Sequence, residues 1–177
     1  MVDDRRGFLQ KAGLSVCGAA GALLGQNAMA KPASEDGRKM APAPSEQIMH
    51  QHGLIQRLIL TFDAVVDLLK EGKKIPGGAL NTGAFVTRFI EGYHEQLEEQ
   101  YLFPIFDDAK QYGQLIQTLG AQHKAGQQLG ERIYFLAGRD DVTEDPVRND
   151  LVEALKSYGR MYRAHAAYED TVLLPAL

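Results

Sequence analysis

Two stretches of the sequence carry the same chemically capable residues at the same spacing. One reads His94-x-x-x-Glu98 and the other His165-x-x-x-Glu169, and in each the glutamate is followed six positions later by a proline. On a helix, a histidine and a carboxylate four positions apart lie on one face, so both can reach the same centre. A carboxylate at a buried position is costly unless it is paired or binds a metal. The repeat therefore predicts a metal site with imidazole and carboxylate ligands.

Two further histidines complete the predicted site. His52 and His123 occupy positions at which the neighbouring apolar residues mark the buried face of a helix. For a single histidine, a hydrogen-bonded core residue is the commoner role, but one such histidine on each of four helices weakens that alternative. His50 lies about 200° around the helix from His52, so both cannot face one site, and His52 is preferred. The predicted metal ligands are His52, His94, Glu98, His123, His165 and Glu169.

This ligand set indicates the kind of metal. Mixed imidazole and carboxylate ligation suits iron or manganese, whereas structural zinc sites usually recruit thiolates. The only cysteine, Cys17, lies near the amino terminus, outside the predicted domain. The predicted cofactor is a pair of iron ions, with an oxo bridge expected between them and with manganese or zinc as alternatives. Two histidines and two shared carboxylates leave each ion short of octahedral coordination, so water or dioxygen would have room to bind.

Other polar and aromatic residues near these positions receive different roles. Glu95 and Glu99 each adjoin a ligand position and are expected on a solvated face, although Glu95 would reach inward if the helix were rotated. Gln127 is expected at the edge of the core, with orientation of a bound water as the alternative. Three tyrosines are expected to pack as aromatic residues, with hydrogen-bond donation or redox activity as the alternative: Tyr93, Tyr101 and Tyr162.

Four long helices are predicted to position these side chains. Glycine and proline punctuate the chain so that helices are expected over about 45–71, 80–109, 114–137 and from 146 onward. No segment has the alternation of a strand. Each helix carries a seam of inward positions spaced three or four apart, and in the fourth helix this seam includes His165, Glu169 and Val172. Four such helices with short loops predict an all-α fold, an up-down four-helix bundle with metal ligands in its interior.

The first thirty residues read as an export signal of the twin-arginine type. Arg5-Arg6-Gly7-Phe8-Leu9 precedes a weakly apolar run, and Ala28-Met29-Ala30 supplies small residues for cleavage. A general secretory signal is the alternative. The run over 12–24 is shorter than the roughly 20 residues that a membrane span needs, so no stable anchor is expected. The protein is therefore expected to be periplasmic or otherwise exported, with the twin-arginine machinery as a partner.

The remaining organisation is simple. Residues 31–44, rich in proline, serine and alanine, read as a flexible linker, and the bundle is expected over 45–177. A chain of 177 residues suffices for one such domain. The net charge of −4, with no run of basic residues, gives no indication of nucleic-acid binding.

Together these residues resemble the hemerythrin-like (HHE cation-binding) family. The match consists of His52-Gly53-Leu54, His123 and the two His-x-x-x-Glu repeats, and it spans about residues 46–177. The resemblance implies a non-haem di-iron site in a four-helix bundle, associated in that family with reversible dioxygen binding, oxygen or redox sensing, and iron handling. The oxygen carriers add a histidine one turn after the third-helix ligand and use a longer spacing to an aspartate in the fourth helix. Gln127 and Glu169 stand at those positions here, which weighs against simple oxygen carriage.

Three functional hypotheses result. The first is a di-iron protein that binds dioxygen, or reacts with dioxygen, peroxide or nitric oxide, with its electron donor unspecified and enzymatic turnover left open. The second is a protein that binds or stores iron or another cation without turnover. The third is a redox or oxygen sensor.

Overall fold

The structure, a computed structural model, describes residues 43–76, 78–106 and 111–177. The predicted export signal over 1–30, and the linker over 31–44 except for its last two residues, lie outside this part. Four long helices and no strand occur in it, so the predicted all-α bundle is confirmed. None of the described helices combines the length and the apolar character that a membrane span requires.

The helices are labelled in chain order. Helix α1 is Pro44–Lys70 and helix α3 is Gly113–Ala137. Helix α2 begins as Ala79–Phe89 and continues through a π turn Ile90–His94, an α-helical segment Glu95–Leu97, a π turn Glu98–Leu102 and a 3-10 turn Phe103–Phe106. Helix α4 begins as Val147–Tyr168 and continues through a π turn Glu169–Leu173 and a 3-10 turn Leu174–Ala176.

Helix α1 ends in a turn that depends on glycine. Gly72 has a φ of 65°, in the left-handed region that side chains disfavour. Its N–H donates to the carbonyl of Leu69 (3.2 Å), and the N–H of Lys73 donates to the carbonyl of Leu68 (2.9 Å). These two bonds satisfy the last carbonyls of the helix, as in a Schellman motif. The predicted end of this helix, at about residue 71, is therefore confirmed.

Two apolar clusters fill the interior of the bundle. The small cluster consists of Ile48, Leu102, Phe103, Phe106, Leu119, Leu173 and Leu174. The large cluster contains eighteen buried residues, among them Ile59, Phe62, Ile133 and Tyr158. Along the chain, α1 and α3 run from the small cluster to the large one, whereas α2 and α4 run from the large to the small. This alternation is the up-down-up-down topology that short loops predict.

Between the two clusters, each helix contributes buried polar side chains. The six predicted metal ligands lie in this layer, and each is at most 2% exposed. Burial of so many ionisable groups is costly unless they are paired or bind a cation. The fold therefore concentrates polar groups in one layer of an otherwise apolar interior.

A π turn begins at the glutamate of each repeat, at Glu98 in α2 and at Glu169 in α4. A π turn contains an extra residue, which shifts the inward-facing positions that follow it. The regular spacing of three and four predicts Val172 on the inward seam of α4, and that prediction is wrong. Val172 is 40% exposed and Leu173 is fully buried, because the extra residue moves the buried position along by one.

Candidate metal centre

The six predicted ligand side chains meet in the polar layer between the two apolar clusters. They form two groups of four, and within each group the candidate ligand atoms all lie within 4.8 Å of one another. The first group is His52, His94, Glu98 and Glu169, and the second is Glu98, His123, His165 and Glu169. Both glutamates belong to both groups. The arrangement therefore matches two cations bridged by two carboxylates.

Glu98 shows the bridging geometry most directly. Its Oε1 lies 3.1 Å from Nε2 of His94 and 3.7 Å from Nε2 of His52, both in the first group. Its Oε2 lies 3.2 Å from Nε2 of His123, in the second group. The two oxygens of one carboxylate therefore face different groups, as a carboxylate that bridges two ions would.

All four imidazoles are oriented by a side chain from another helix. In each, the Nδ1–H donates to a side-chain oxygen: His52 to Asp170 (2.7 Å), His94 to Gln51 (2.8 Å), His123 to Glu99 (2.8 Å) and His165 to Gln122 (3.1 Å). Use of Nδ1 as the donor leaves a lone pair on Nε2 in the neutral ring. Metal-bound histidines commonly have this arrangement, in which the outer hydrogen bond fixes the tautomer and the orientation of the ring.

Six of the atoms that face the centre lack a hydrogen-bond partner, whereas Nε2 of His123 and Nε2 of His165 lie 3.2 Å from each other. Among the described residues, Nε2 of His52, Nε2 of His94 and all four carboxylate oxygens of Glu98 and Glu169 are buried without a hydrogen-bond partner. Nε2 of His52 nevertheless lies only 3.1 Å from Oε2 of Glu169. Two lone pairs at this distance repel unless a proton or a cation lies between them. The residues therefore fit a bound metal pair.

Without a metal, protons would take the place of the cations. Burial lowers the pKa of His52, but its contacts with Glu169, Glu98 and Asp170 outweigh burial and raise that pKa to about 10. At His165, burial also lowers the pKa, but contacts with Glu169 and Glu98 outweigh burial and raise that pKa to about 9. Burial alone dominates at His94 and lowers its pKa. The buried carboxylates thus draw protons onto the same nitrogen atoms that would bind the metal.

The centre has an internal pseudo-twofold symmetry. His123 lies 71 positions after His52, and His165 lies 71 positions after His94. The same shift relates the remaining pairs of the centre: Gln51 to Gln122, Glu98 to Glu169, and Glu99 to Asp170. The hydrogen bonds repeat as well, because the two glutamine-to-histidine bonds each join residues 43 positions apart. The half formed by α1 and α2 therefore repeats the half formed by α3 and α4.

The residues that orient the histidines are not among the predicted site residues. A signal for them is present, since a glutamine precedes both His52 and His123, and an acidic residue follows both Glu98 and Glu169. Glu99 was expected on a solvated face, and its side chain is 47% exposed. Its carboxylate nonetheless accepts a hydrogen bond from His123, so exposure does not exclude a role at the centre.

Glu95 corrects a second expectation. It is 1% exposed rather than solvated, and its carboxylate accepts one hydrogen bond from the Tyr162 hydroxyl and another from Nε2 of Gln127 (2.9 Å). Burial raises the pKa of Glu95. An interior helix face that meets two neighbouring helices is wider than a single seam, so position 95 turns toward α3 and α4 while position 94 turns toward α1.

The other candidates belong to neither ligand group. His50 is exposed, which agrees with the preference for His52. Tyr93 is 42% exposed and stacks on Phe89, with 5.2 Å between ring centroids, so it packs as an aromatic residue at the surface. Tyr101 is half-buried. Tyr162 is fully buried and combines aromatic packing with its bond to Glu95.

Replacement of an orienting carboxylate should weaken metal binding without removing a ligand. Asp170→Asn and Glu99→Gln are each expected to lower affinity about 10–100-fold, because donation of Nδ1–H to a carboxylate makes the imidazole a better ligand. Asp170→Asn should affect the first group and Glu99→Gln the second. Titration against a competing chelator measures the affinity, and Asp150→Asn, an exposed substitution on α4, is the control. Wild-type affinity in both orienting variants would contradict this role.

A sequence model of the family described as the hemerythrin HHE cation binding domain matches residues 43–177. Similar relatives include uncharacterised proteins from Mycobacterium bovis and from two strains of Mycobacterium tuberculosis. Each is 36% identical over 133 residues, which cover 75% of this chain and 52% of the relative. The chain thus spans about half the length of these curated relatives. No solved structure gives a significant match.

Proposed function

This chain belongs to the hemerythrin HHE cation-binding family, and from that premise we propose that it is a non-haem di-iron protein that binds dioxygen, or reacts with dioxygen, peroxide or nitric oxide. The residues that would hold the ions are His52, His94, Glu98, His123, His165 and Glu169. The convergence of their buried nitrogen and oxygen atoms, six of which have no hydrogen-bond partner in the described part of the chain, is the observation that carries the proposal. When bound, the irons would supply one-electron redox chemistry and coordination positions for a small oxygen-containing molecule.

The donor set supports iron or manganese over structural zinc. Four imidazoles and two carboxylates combine nitrogen and oxygen ligands, a mixture that suits iron and manganese. No cysteine occurs among the residues that the structure describes, so a thiolate-rich structural zinc site has no support there. The chemistry of these side chains therefore favours a redox-capable metal.

The position of Gln127 supports reaction at the centre over simple oxygen carriage. Gln127 stands where the family resemblance places an additional histidine ligand in oxygen carriers. Its amide instead donates to Glu95, and Gln127 belongs to neither ligand group. Four protein ligands per ion leave coordination positions on both ions, rather than on one alone.

The protein around the centre supports this chemistry by excluding bulk water. The ligands are almost fully buried, with an apolar cluster on each side along the bundle. A site that excludes water strengthens the electrostatic interactions inside it and protects reactive species from side reactions. The fixed imidazoles also reduce the reorganisation that accompanies a change in metal charge.

Anaerobic loading with ferrous iron, followed by exposure to oxygen, tests the proposal. We expect about two irons per chain, one for each ligand group, and a new absorption band from charge transfer between an oxygen ligand and iron. The exposed-histidine variant His50→Ala should behave like the wild type. Absence of both iron and the band would refute the proposal. Binding of iron, manganese and zinc with no oxygen-dependent spectral change would instead indicate a cation-binding or storage protein.

A further inference from the structure

One side of the centre departs from the pseudo-twofold symmetry. The ligands and their orienting residues are related by a shift of 71 positions. The same shift pairs Glu95 with Ala166 and Gly126 with Ile55. A buried carboxylate and a glycine on one side thus correspond to apolar side chains on the other. The symmetric ligand set does not require this difference. The polar side is therefore a candidate for an additional role.

The polar side brings Tyr162 and Glu95 together. Both are buried, and the Tyr162 hydroxyl donates a hydrogen bond to Oε1 of Glu95. Gln127 holds the other oxygen of Glu95 at 2.9 Å from its Nε2. Gly126 leaves space for the phenol, because a Cβ at that position would lie 2.8 Å from the Tyr162 hydroxyl oxygen. Three helices thus contribute to one phenol–carboxylate contact.

This phenol also lies beside the metal ligands. The ring of Tyr162 meets the ring of His165 edge-on, with 5.8 Å between centroids. Oxidation of a tyrosine inside a protein requires a nearby oxidant and an acceptor for the phenolic proton, because a buried phenol cation would be strongly destabilised. The contact with His165 places Tyr162 next to the centre that would supply the oxidant. Glu95 is the acceptor for the phenolic proton.

We propose that Tyr162 is a redox-active residue that gives one electron to the oxidised metal centre and its phenolic proton to Glu95. The proposal rests on the proposed di-iron function. With hydrogen peroxide as the oxidant, two electrons and two protons convert one peroxide into two waters. One electron would come from a bound ferrous ion, leaving it ferric, and the other from Tyr162, which would become a neutral tyrosyl radical. The tyrosine proton remains on Glu95, and solvent supplies the two protons consumed.

The neighbouring Tyr158 provides a matched comparison. It is also fully buried, and its ring centroid lies 4.5 Å from that of Tyr162. Its hydroxyl has no hydrogen-bond partner among the described residues. An oxidised Tyr158 would therefore have no bonded acceptor for its proton, so the radical is expected on Tyr162.

Freeze-quench electron paramagnetic resonance of the full-length protein tests this role. Protein loaded anaerobically with ferrous iron is mixed with hydrogen peroxide, and the iron content of every sample is measured. We expect a narrow organic-radical signal that changes its hyperfine pattern when the protein contains ring-deuterated tyrosine. Tyr162→Phe should lose the signal, and Glu95→Gln should reduce it. Tyr158→Phe and the exposed variant Tyr168→Phe should retain it.

Peptide mass analysis of the wild-type protein after peroxide treatment gives a second readout that needs no variant. Oxidation products are expected on Tyr162 in preference to Tyr158. Normal iron loading without a radical, or a radical that persists unchanged in Tyr162→Phe, would overturn the role of Tyr162 and leave the di-iron function intact. Failure of the wild-type protein to bind iron would overturn both.

Discussion

Substitution of Glu169 by alanine is expected to abolish the binding of both metal ions. Glu169 belongs to both ligand groups, so its removal takes a bridging ligand from each ion. A ligand that binds only the folded state stabilises it by about 4 kcal/mol when its free concentration is about 1,000 times the Kd. The variant should lose that increment in the free energy of unfolding. Metal analysis and denaturant unfolding, each with and without iron, measure the two effects.

A histidine variant distinguishes the effect of losing a ligand of one group from the effect of losing a ligand shared by both groups. His94 belongs only to the first group, so His94→Ala should weaken that site and leave the ion bound by His123 and His165. Glu131→Gln, an exposed change on α3, is the surface control. A Glu169→Ala protein that retains its full complement of iron would show that the carboxylate does not bridge the ions.

The metal-free protein is expected to lose stability as the pH rises from about 6.5 to about 10. The pKa of His52 is raised to about 10 and that of His165 to about 9, against an ordinary value of 6.5 in the unfolded chain. A raised folded-state pKa gives stabilisation that is complete below pH 6.5 and is lost as the pH passes through the folded value. His94 acts in the opposite sense, because its pKa is lowered, but the raised groups outnumber it. The free energy of unfolding should fall by more than about 1.4 kcal/mol, the equivalent of one pKa unit.

Metal binding should show the opposite pH dependence. The ions must displace the protons that His52 and His165 hold, so binding releases protons and the affinity rises with pH. Chelator-treated and iron-loaded samples can be unfolded in denaturant across this pH range. The variant His52→Gln should flatten the curve of the metal-free protein. A metal-free protein whose stability increased with pH over this range would contradict the raised pKa values of His52 and His165.

The sequence predicted the helices and the convergence of the ligands because both depend on local spacing. A histidine and a glutamate four positions apart share a helix face whatever else surrounds them. Gly72 marks the end of α1 because glycine readily adopts the left-handed conformation found there. Four buried histidines on four helices then leave few arrangements other than a shared centre.

Other features depend on contacts that no local pattern contains. Asp170 orients His52 across 118 positions of sequence, and only the packing of α4 against α1 brings them together. The inward position of Leu173 depends on a π turn, whereas a fixed spacing of three and four points to Val172. The burial of Glu95 could be predicted only if it were known that one face of α2 meets two helices. These are effects of tertiary packing, which overrides local periodicity.

The small apolar cluster has a consequence for the kinetics of metal exchange. An ion held in the polar layer leaves only when part of the bundle opens, and local opening occurs most readily where the fewest apolar contacts must be broken. The small cluster has seven buried residues and the large one has eighteen. Exchange should therefore proceed through the end of the bundle that the small cluster closes. The equilibrium affinity would then be set by the ligands, and the rate of release by residues such as Phe103 and Leu174 that never touch the ion.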